Sequence, residues 1–395
     1  MNPSEAFVYK VCRKSFLSLW SYAKPKGKKG KELCDILVVC DPDVIIFSVK
    51  KVKLVGSGED PVDTRRWDRE AVEGSRRQLY GAGRWIQVAQ HVIRQDGTQG
   101  LPFPPLPERR IHRVAVALGG GGKVWMASGD LGKGYVHVLD EVAFGAILRE
   151  LNTVTDFVKY LCAKEELVRQ GTGVLCFGEE DLLALYLRNG RRFPDKPDQL
   201  IVGGDLWAGL RRERAYRAKK KADKISYAWD NLIETFCADA LQGRLEFGGG
   251  LTEVEQAIRT MAREDRFCRR MLGQAFVDFI QTCAQKKLRS RVIESESGVV
   301  YVFLVQPRGS PREHRKRELT LRCFVARGVH KNREVVVGIA TERPENGKGF
   351  SLDLVSLKMP AWTQENQVVM DGIQAELGYF WKPVRTSHSE DEYPN

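Results

Sequence analysis

Two apolar segments set three residues apart, Glu32–Cys40 (ELCDILVVC) and Val44–Leu54 (VIIFSVKKVKL), constrain the fold of this chain more than any other feature. Each is short, rich in β-branched residues and bounded by polar positions, so the pair predicts two buried strands joined through Asp41-Pro42-Asp43. Buried strands carry few charges, yet these hold Asp35, Ser48 and Lys50. Side chains alternate along a strand, so Ser48 and Lys50 share one face. A turn with Pro42 at its favoured second position pairs Asp41 with Val44 and hence Asp35 with Lys50. A tighter turn pairs Cys40 with Asp43 and sets Asp35 opposite Ser48. The two registers differ by two residues of pairing, so the same face is used in both. Burying Asp and Lys is costly unless they are paired or bind an ion, and that cost calls for a compensating role.

The rest of the chain supplies the surroundings. Ser4 can cap a helix to about Tyr22, with Phe7, Val11, Phe16, Leu17 and Trp20 as its apolar stripe. Gly56–Thr64 reads as a loop, and a long helix follows over about Trp67–Ile93 with Gln78 and Leu79 on its inward stripe. Gln95–Arg110 contains LPFPPLP, a connector without regular structure. His112–Leu118 and Val136–Leu139 read as strands, Val142–Leu151 and Thr155–Leu167 as helices. Glu179–Lys287 is mostly helical and highly charged. Beyond Arg291 the chain becomes strand-rich (RVIES, VVYVFLV, LTLRCFVA, EVVVGIATE, FSLDLVSL), ending in a helix over Thr363–Leu377 and an acidic tail, SHSEDEYPN, expected to be disordered. At 395 residues this makes two or three domains. The divisions drawn are 1–165, a basic helical region 166–290, and a β-rich domain 291–395.

Charge narrows the partners. The net charge of +12 is the balance of three stretches of +5 each, Lys24–Lys31, Asp205–Lys224 and Arg308–Arg327, against −3 over the rest of the chain. Concentrated positive charge on a near-neutral body suggests an anionic partner, nucleic acid above all. The positions read as contacting it are Lys24, Lys26, Lys28, Lys29 and Lys31; Arg211, Arg212, Lys219, Lys220 and Lys221; and Arg315, Lys316 and Arg317. Tyr216 lies within the second group and Tyr227 and Trp229 lie nearby, a mixture that suits backbone contact and base stacking, with a solvated helix face as the competing reading. No apolar run reaches the ~18–20 residues of a membrane span, and early charges (Glu5, Lys10) argue against a secretory signal. Nine Cys without a CxxC pair fit a reducing cytoplasm, and six scattered His give no metal-ligand spacing. Metal chemistry would therefore rest on carboxylates. LGGGGK at Leu118–Lys123 fails the phosphate-loop pattern at Ala117 and Val124 and reads as a hairpin turn. Glu342 and Asp353, on C-terminal strands, read as solvent-facing.

A helix with Glu5, a strand with Asp35, a strand with Ser48-Val49-Lys50 and a helix with Gln78 (SRRQLYGA) resemble the PD-(D/E)xK nuclease superfamily over about residues 1–140. That superfamily includes restriction endonucleases and Holliday-junction resolvases. The resemblance implies an α/β, restriction-endonuclease-like core: a helix, a three-stranded meander, a crossover helix and a further strand. It implies that Asp35 ligates Mg²⁺ or Mn²⁺, that Lys50 orients or activates the attacking water, and that Glu5 and Gln78 assist as in resolvase-like and exonuclease-type members. The motif's acidic position is Ser48 here, a poorer ligand for a hard cation than a carboxylate. Some superfamily members with SxK recruit a Glu from the following helix. Of the two candidates, Glu70 lies about 80° around the helix from Gln78 and Glu73 about 140°. Alternatively Glu5 supplies the second carboxylate. The implied activity is metal-dependent hydrolysis of DNA or RNA phosphodiester bonds, DNA favoured over RNA, with restriction or anti-phage defence as the family's habit and a homo-oligomer or a partner motor subunit as candidate partners. The competing readings are a catalytically inactive nuclease-fold subunit that binds nucleic acid or a partner protein, and a protein-interaction module built on the C-terminal β region.

Overall fold

The computed structural model describes residues 1–53, 61–120, 128–176, 178–195, 198–244, 251–285, 289–345, 348–381 and 389–394. Gly121–Lys123 of the LGGGGK turn and most of the Gly56–Thr64 loop lie outside them. The chain is mixed α/β and gathers into two units, Met1–Arg217 and Ala218–Asn395, so its contacts divide it once where the sequence reading drew boundaries at 165 and 290.

In the first unit, α1 (Pro3–Phe16) begins at Asn2, not Ser4. The Asn2 side chain accepts from the Glu5 N–H at 2.9 Å, and the Glu5 carboxylate accepts from the Asn2 N–H at 3.0 Å. Such reciprocal capping satisfies two donors that a helix start leaves unpaired. The helix stops at Phe16, short of the expected Tyr22, and β1 (Ser21–Ala23) uses the remainder. Next come β2 (Ile36–Cys40) and β3 (Asp43–Lys51). Their register runs from Cys40 opposite Asp43 to Ile36 opposite Phe47, which is the tighter of the two turns and sets Asp35 opposite Ser48. A helical passage follows: α2 (Pro61–Trp67), a π-helical stretch (Asp68–Glu73) and α3 (Gly74–Ile86). It ends before the expected Ile93, because β-branched Val92 and Ile93 enter a small hairpin of β4 (His91–Ile93) and β5 (Gln99–Pro102). Part of the Pro-rich connector is thus regular.

The chain continues through β6 (Arg110–Leu118), β7 (Gly129–Asp130), β8 (Tyr135–Leu139), α4 (Glu141–Glu150) and α5 (Val154–Arg169). It then forms β9 (Gly173–Cys176), α6 (Glu179–Arg188), β10 (Gln199–Val202), α7 (Leu206–Arg212) and α8 (Arg214–Ala222). Among the described residues, six strands form one mixed sheet in the order β1-β2-β3-β6-β8-β7. β3, β6 and β8 run parallel, and the other neighbours are antiparallel. The α2–α3 passage therefore crosses from β3 to its parallel neighbour β6, as a parallel pairing requires. Phe16 of α1, Phe47 of β3 and Phe157 of α5 meet on one face of the sheet, with centroids 5.4–6.3 Å apart. On the opposite face α3 buries Leu79, Ala82 and Ile86. Alternation along β3 hands Phe47 to the first layer and Ser48 to the second.

The second unit holds α9 (Ser226–Leu241), α10 (Leu251–Ala262) and α11 (Arg266–Gln285), followed by β11 (Ser290–Glu294), β12 (Val299–Gln306), α12 (Arg312–Val329), β13 (Val335–Glu342), β14 (Leu352–Lys358) and α13 (Gln364–Leu377). Its sheet runs β11-β12-β13-β14, with β12 and β13 parallel. The expected strand LTLRCFVA is instead the body of α12. Arg315, Leu319, Cys323 and Ala326 are buried at helical spacing, and the last three pack on Val300, Val302 and Val336. The parallel pairing of β12 with β13 needs this crossover helix. Gly338 permits its close approach, since a Cβ there would meet Leu319 at 2.9 Å. The acidic tail is not loose in the described part: Glu390–Glu392 contact Arg270. Among the described residues no helix is long and apolar enough to cross a membrane.

Candidate functional site

The β2–β3 hairpin brings its polar residues together. Asp35 immediately precedes β2 and is 2% exposed; its Oδ2 accepts from the Val49 N–H at 2.6 Å. Burial pushes the Asp35 carboxyl up to about 6; the Val49 N–H and Lys50 pull against this, while Glu5 and Glu32 add to it. Ser48 is fully buried and donates its hydroxyl to Gln78 Oε1 of α3 at 2.6 Å. Lys50, half-buried two residues on, lies along the same face of β3.

The start of α1 supplies the other edge. Lys24 Nζ sits 3.0 Å from Glu5 Oε2 and 3.2 Å from Glu32 Oε2, while the Lys24 backbone N–H donates to the Asp35 carbonyl at 2.9 Å. Burial raises the Glu5 carboxyl, but the bonds from Lys24 and the Asn2 N–H outweigh it and hold Glu5 below its ordinary value. Lys24 is raised by its bond to Glu5, against burial and with help from Glu32. Its φ of 44° lies in the left-handed region, which non-glycine residues seldom occupy outside tightly determined sites. The sequence reading placed Lys24 among phosphate contacts and passed over Glu32. No motif marks either, because their meeting depends on a turn between α1 and β2.

Other expected members stand apart. Glu70 bonds Arg66 at 3.3 Å on an exposed stretch, and Glu73 bonds Arg76. The π-helical stretch alters the angular spacing on which the choice between them rested. Among the described residues no three His, Cys, Asp or Glu side chains gather to hold a metal ion. Of the basic positions, Lys28, Lys29, Lys31, Arg211, Arg212, Lys221 and Arg317 are exposed, and Lys26, Lys220 and Lys316 half-buried. Lys219 is buried against Asp223 at 2.6 Å, and Arg315 is buried against Asp353 and Glu342. Asp353, expected to face solvent, is 4% exposed. Tyr216 is buried and donates to Glu150 at 2.7 Å, and Trp229 is fully buried, so neither offers a ring for stacking.

A second polar network, unmarked in the sequence, lies along β3, β6, β8 and α5. Asp43 Oδ1 meets His112 Nε2 at 3.0 Å, and His137 Nε2 donates to Glu165 Oε1 at 2.9 Å. Burial pulls the His137 imidazole down to about 4 in spite of Glu165. His112 is raised: burial lowers it, but Asp43 and Glu165 prevail. These shifts oppose each other in the stability balance. The depressed His137 contributes stability above its ordinary 6.5 that is lost as pH falls toward about 4. The raised His112 contributes below 6.5 and loses that contribution as pH rises through its folded value. His137→Gln is therefore expected to flatten the fall in Tm between pH 6.5 and 4, and His112→Gln to flatten the fall in Tm as pH rises above 6.5. Parallel curves for both variants and the wild type would refute this assignment.

No family model, curated protein or solved structure matches the chain. The site and the fold carry the functional argument alone.

Proposed function

We propose that Met1–Arg217 is a metal-dependent nuclease of the PD-(D/E)xK kind in its SxK form, acting on DNA rather than RNA, with a restriction or anti-phage role. The observation that carries this reading is the buried Asp35 carboxylate set opposite Ser48 and interacting with Lys50, on a hairpin whose other buried side chains are mostly aliphatic. The helix, meander, crossover helix and parallel strand support a restriction-endonuclease-like core, since the order and the parallel β3–β6 pairing are those it calls for.

The donor set suits Mg²⁺ or Mn²⁺. The Asp35 carboxyl, raised to about 6 chiefly by burial and to a lesser degree by the charges of Glu5 and Glu32, is relieved by added positive charge. Asp35 and Glu5 would hold the ion, which when bound supplies Lewis-acid stabilisation of the phosphate and a more acidic water. Lys50 adds a cation beside the attacking oxygen. Gln78, its carbonyl oxygen held by the Ser48 hydroxyl, presents an amide to orient the water or a phosphate oxygen. Lys24 neutralises Glu5 and Glu32 in this state, so Glu5 becomes a ligand only as Lys24 turns away, toward the phosphates flanking a cut. The exposed Lys28, Lys29 and Lys31 continue that positive surface.

The test is cleavage of plasmid DNA and of RNA with Mg²⁺ or Mn²⁺ by wild type, Asp35→Ala and Lys50→Ala. Lys50→Ala is expected to slow cleavage by about 10²–10³-fold, the scale of losing one charge-stabilising group. Because Lys50 is only half-buried, near the end of β3, stability should change by less than about 1 kcal/mol. Equal cleavage by all three proteins would refute the site. The second reading, an inactive fold that binds nucleic acid or a partner protein, is favoured by Ser48 standing where the motif has an acid and spending its hydroxyl on Gln78. It is the outcome if no protein cuts with any metal while duplex binding persists.

A further inference from the structure

The second unit holds a cationic site already filled by an acidic segment of the same chain. Arg270 of α11 is 1% exposed, and its two terminal nitrogens donate to successive main-chain carbonyls, Glu392 at 3.1 Å and Asp391 at 2.7 Å. The same guanidinium lies 3.4 Å from the Glu390 carboxylate. Lys219 Nζ stands 3.6 Å from Glu392 and 5.8 Å over the Tyr393 ring. Asp223 takes 2.6 Å and 3.2 Å contacts from Lys219 and Arg270, so it offsets one of the two cations and leaves the other facing the tail. Lys221 and Lys224, close by in sequence, are exposed. Residues 389–394 carry three acids and no base. Their docking is mostly electrostatic and main-chain in character, a class of contact that salt and competing anions weaken.

We propose that Glu390–Tyr393 is a tethered competitor for a polyanion site formed by Lys219 and Arg270 with the neighbouring Lys221 and Lys224. The phosphates of nucleic acid and the tail carboxylates answer the same cations, so occupancy by one excludes the other. Displacement of the tail opens the site, and the second unit then adds affinity for the substrate. This inference rests on the reading that the chain binds nucleic acid.

The experiment uses the full chain and the triple variant Glu390→Gln, Asp391→Asn, Glu392→Gln. Neutralising the side chains removes the contacts of Glu390 and Glu392 and keeps the main-chain carbonyls that Arg270 holds, so the tail is more easily displaced without being deleted. Binding of a labelled DNA duplex is followed by fluorescence anisotropy over a range of salt. The neutral-tail variant is expected to bind at least about fivefold tighter at low salt, the lower end of ordinary coupling between two sites. Its affinity should also fall more steeply with salt, since more phosphates are contacted. Adding Lys221→Ala and Lys224→Ala to that variant should remove the gain. Equal affinity and equal salt slope for wild type and the neutral-tail variant would overturn the proposal and make the tail a fixed strap. Absence of duplex binding by both proteins would instead overturn the nucleic-acid reading beneath it.

Discussion

Asp35→Asn is expected to abolish cleavage while making the protein more stable at neutral pH. The carboxyl is 2% exposed and its pKa is raised from 3.8 to about 6, chiefly by burial. An acid raised in the folded state stabilises the fold in its protonated form. That contribution is full below 3.8 and lost as pH rises through about 6. At pH 7.5 the ionised Asp35 therefore costs on the order of 3 kcal/mol, which a neutral amide recovers. The Asn carbonyl can still accept the Val49 N–H, so the hairpin keeps its bond. Denaturation at pH 7.5 should show the gain, and at pH 3.5 the two proteins should converge. Mg²⁺ or Mn²⁺ should raise the Tm of the wild type and leave that of Asp35→Asn unchanged, because only the carboxylate gains from the added charge. A variant that is less stable at pH 7.5, or that still cuts, would defeat the assignment. Its physical content is that Asp35 is paid for by function and not by the fold.

Arg315→Ala is expected to cost about 3–5 kcal/mol of stability, the penalty for leaving a buried charge without its partner. Arg315 is 1% exposed and bonds Asp353, itself 4% exposed. It also lies 3.6 Å from Glu342 and donates to Ser351 Oγ at 2.6 Å. Arg312, 2.7 Å from Asp353, is a further cation there and is largely at the surface. Arg317→Ala, on the exposed side of the same helix, should change stability by less than about 0.5 kcal/mol. If the second unit binds duplex, Arg317→Ala should instead reduce the salt slope. Chemical denaturation separates the two roles. A near-neutral Arg315→Ala would show that the ion pair carries little of the unit's stability.

The readability of this chain varies from element to element. The hairpin was legible because β-branched runs around Asp-Pro-Asp leave little choice but paired strands, and alternation puts Asp35, Ser48 and Lys50 on one side in either register. The inward position of Gln78 was legible from helical spacing and is met by its bond with Ser48. LTLRCFVA was misread because its apolar content suits a strand, while its helical stripe emerges only when the run is extended back to Arg315. The basic clusters were misread in part for a simpler reason. Composition counts Lys219 and Arg315 as charge available to a partner, whereas the fold spends them on Asp223 and Asp353.

By itself, then, the sequence determined the hairpin, the face its polar residues share and the α1 and α3 helices that flank it, because these follow from short-range periodicity and turn chemistry. Only the tertiary structure decided the register, the insertion of Lys24 between Glu5 and Glu32, and which cations are consumed inside the protein. Those outcomes depend on how distant segments meet. Burial and pairing energies are properties of the assembled neighbourhood, and no single segment contains them.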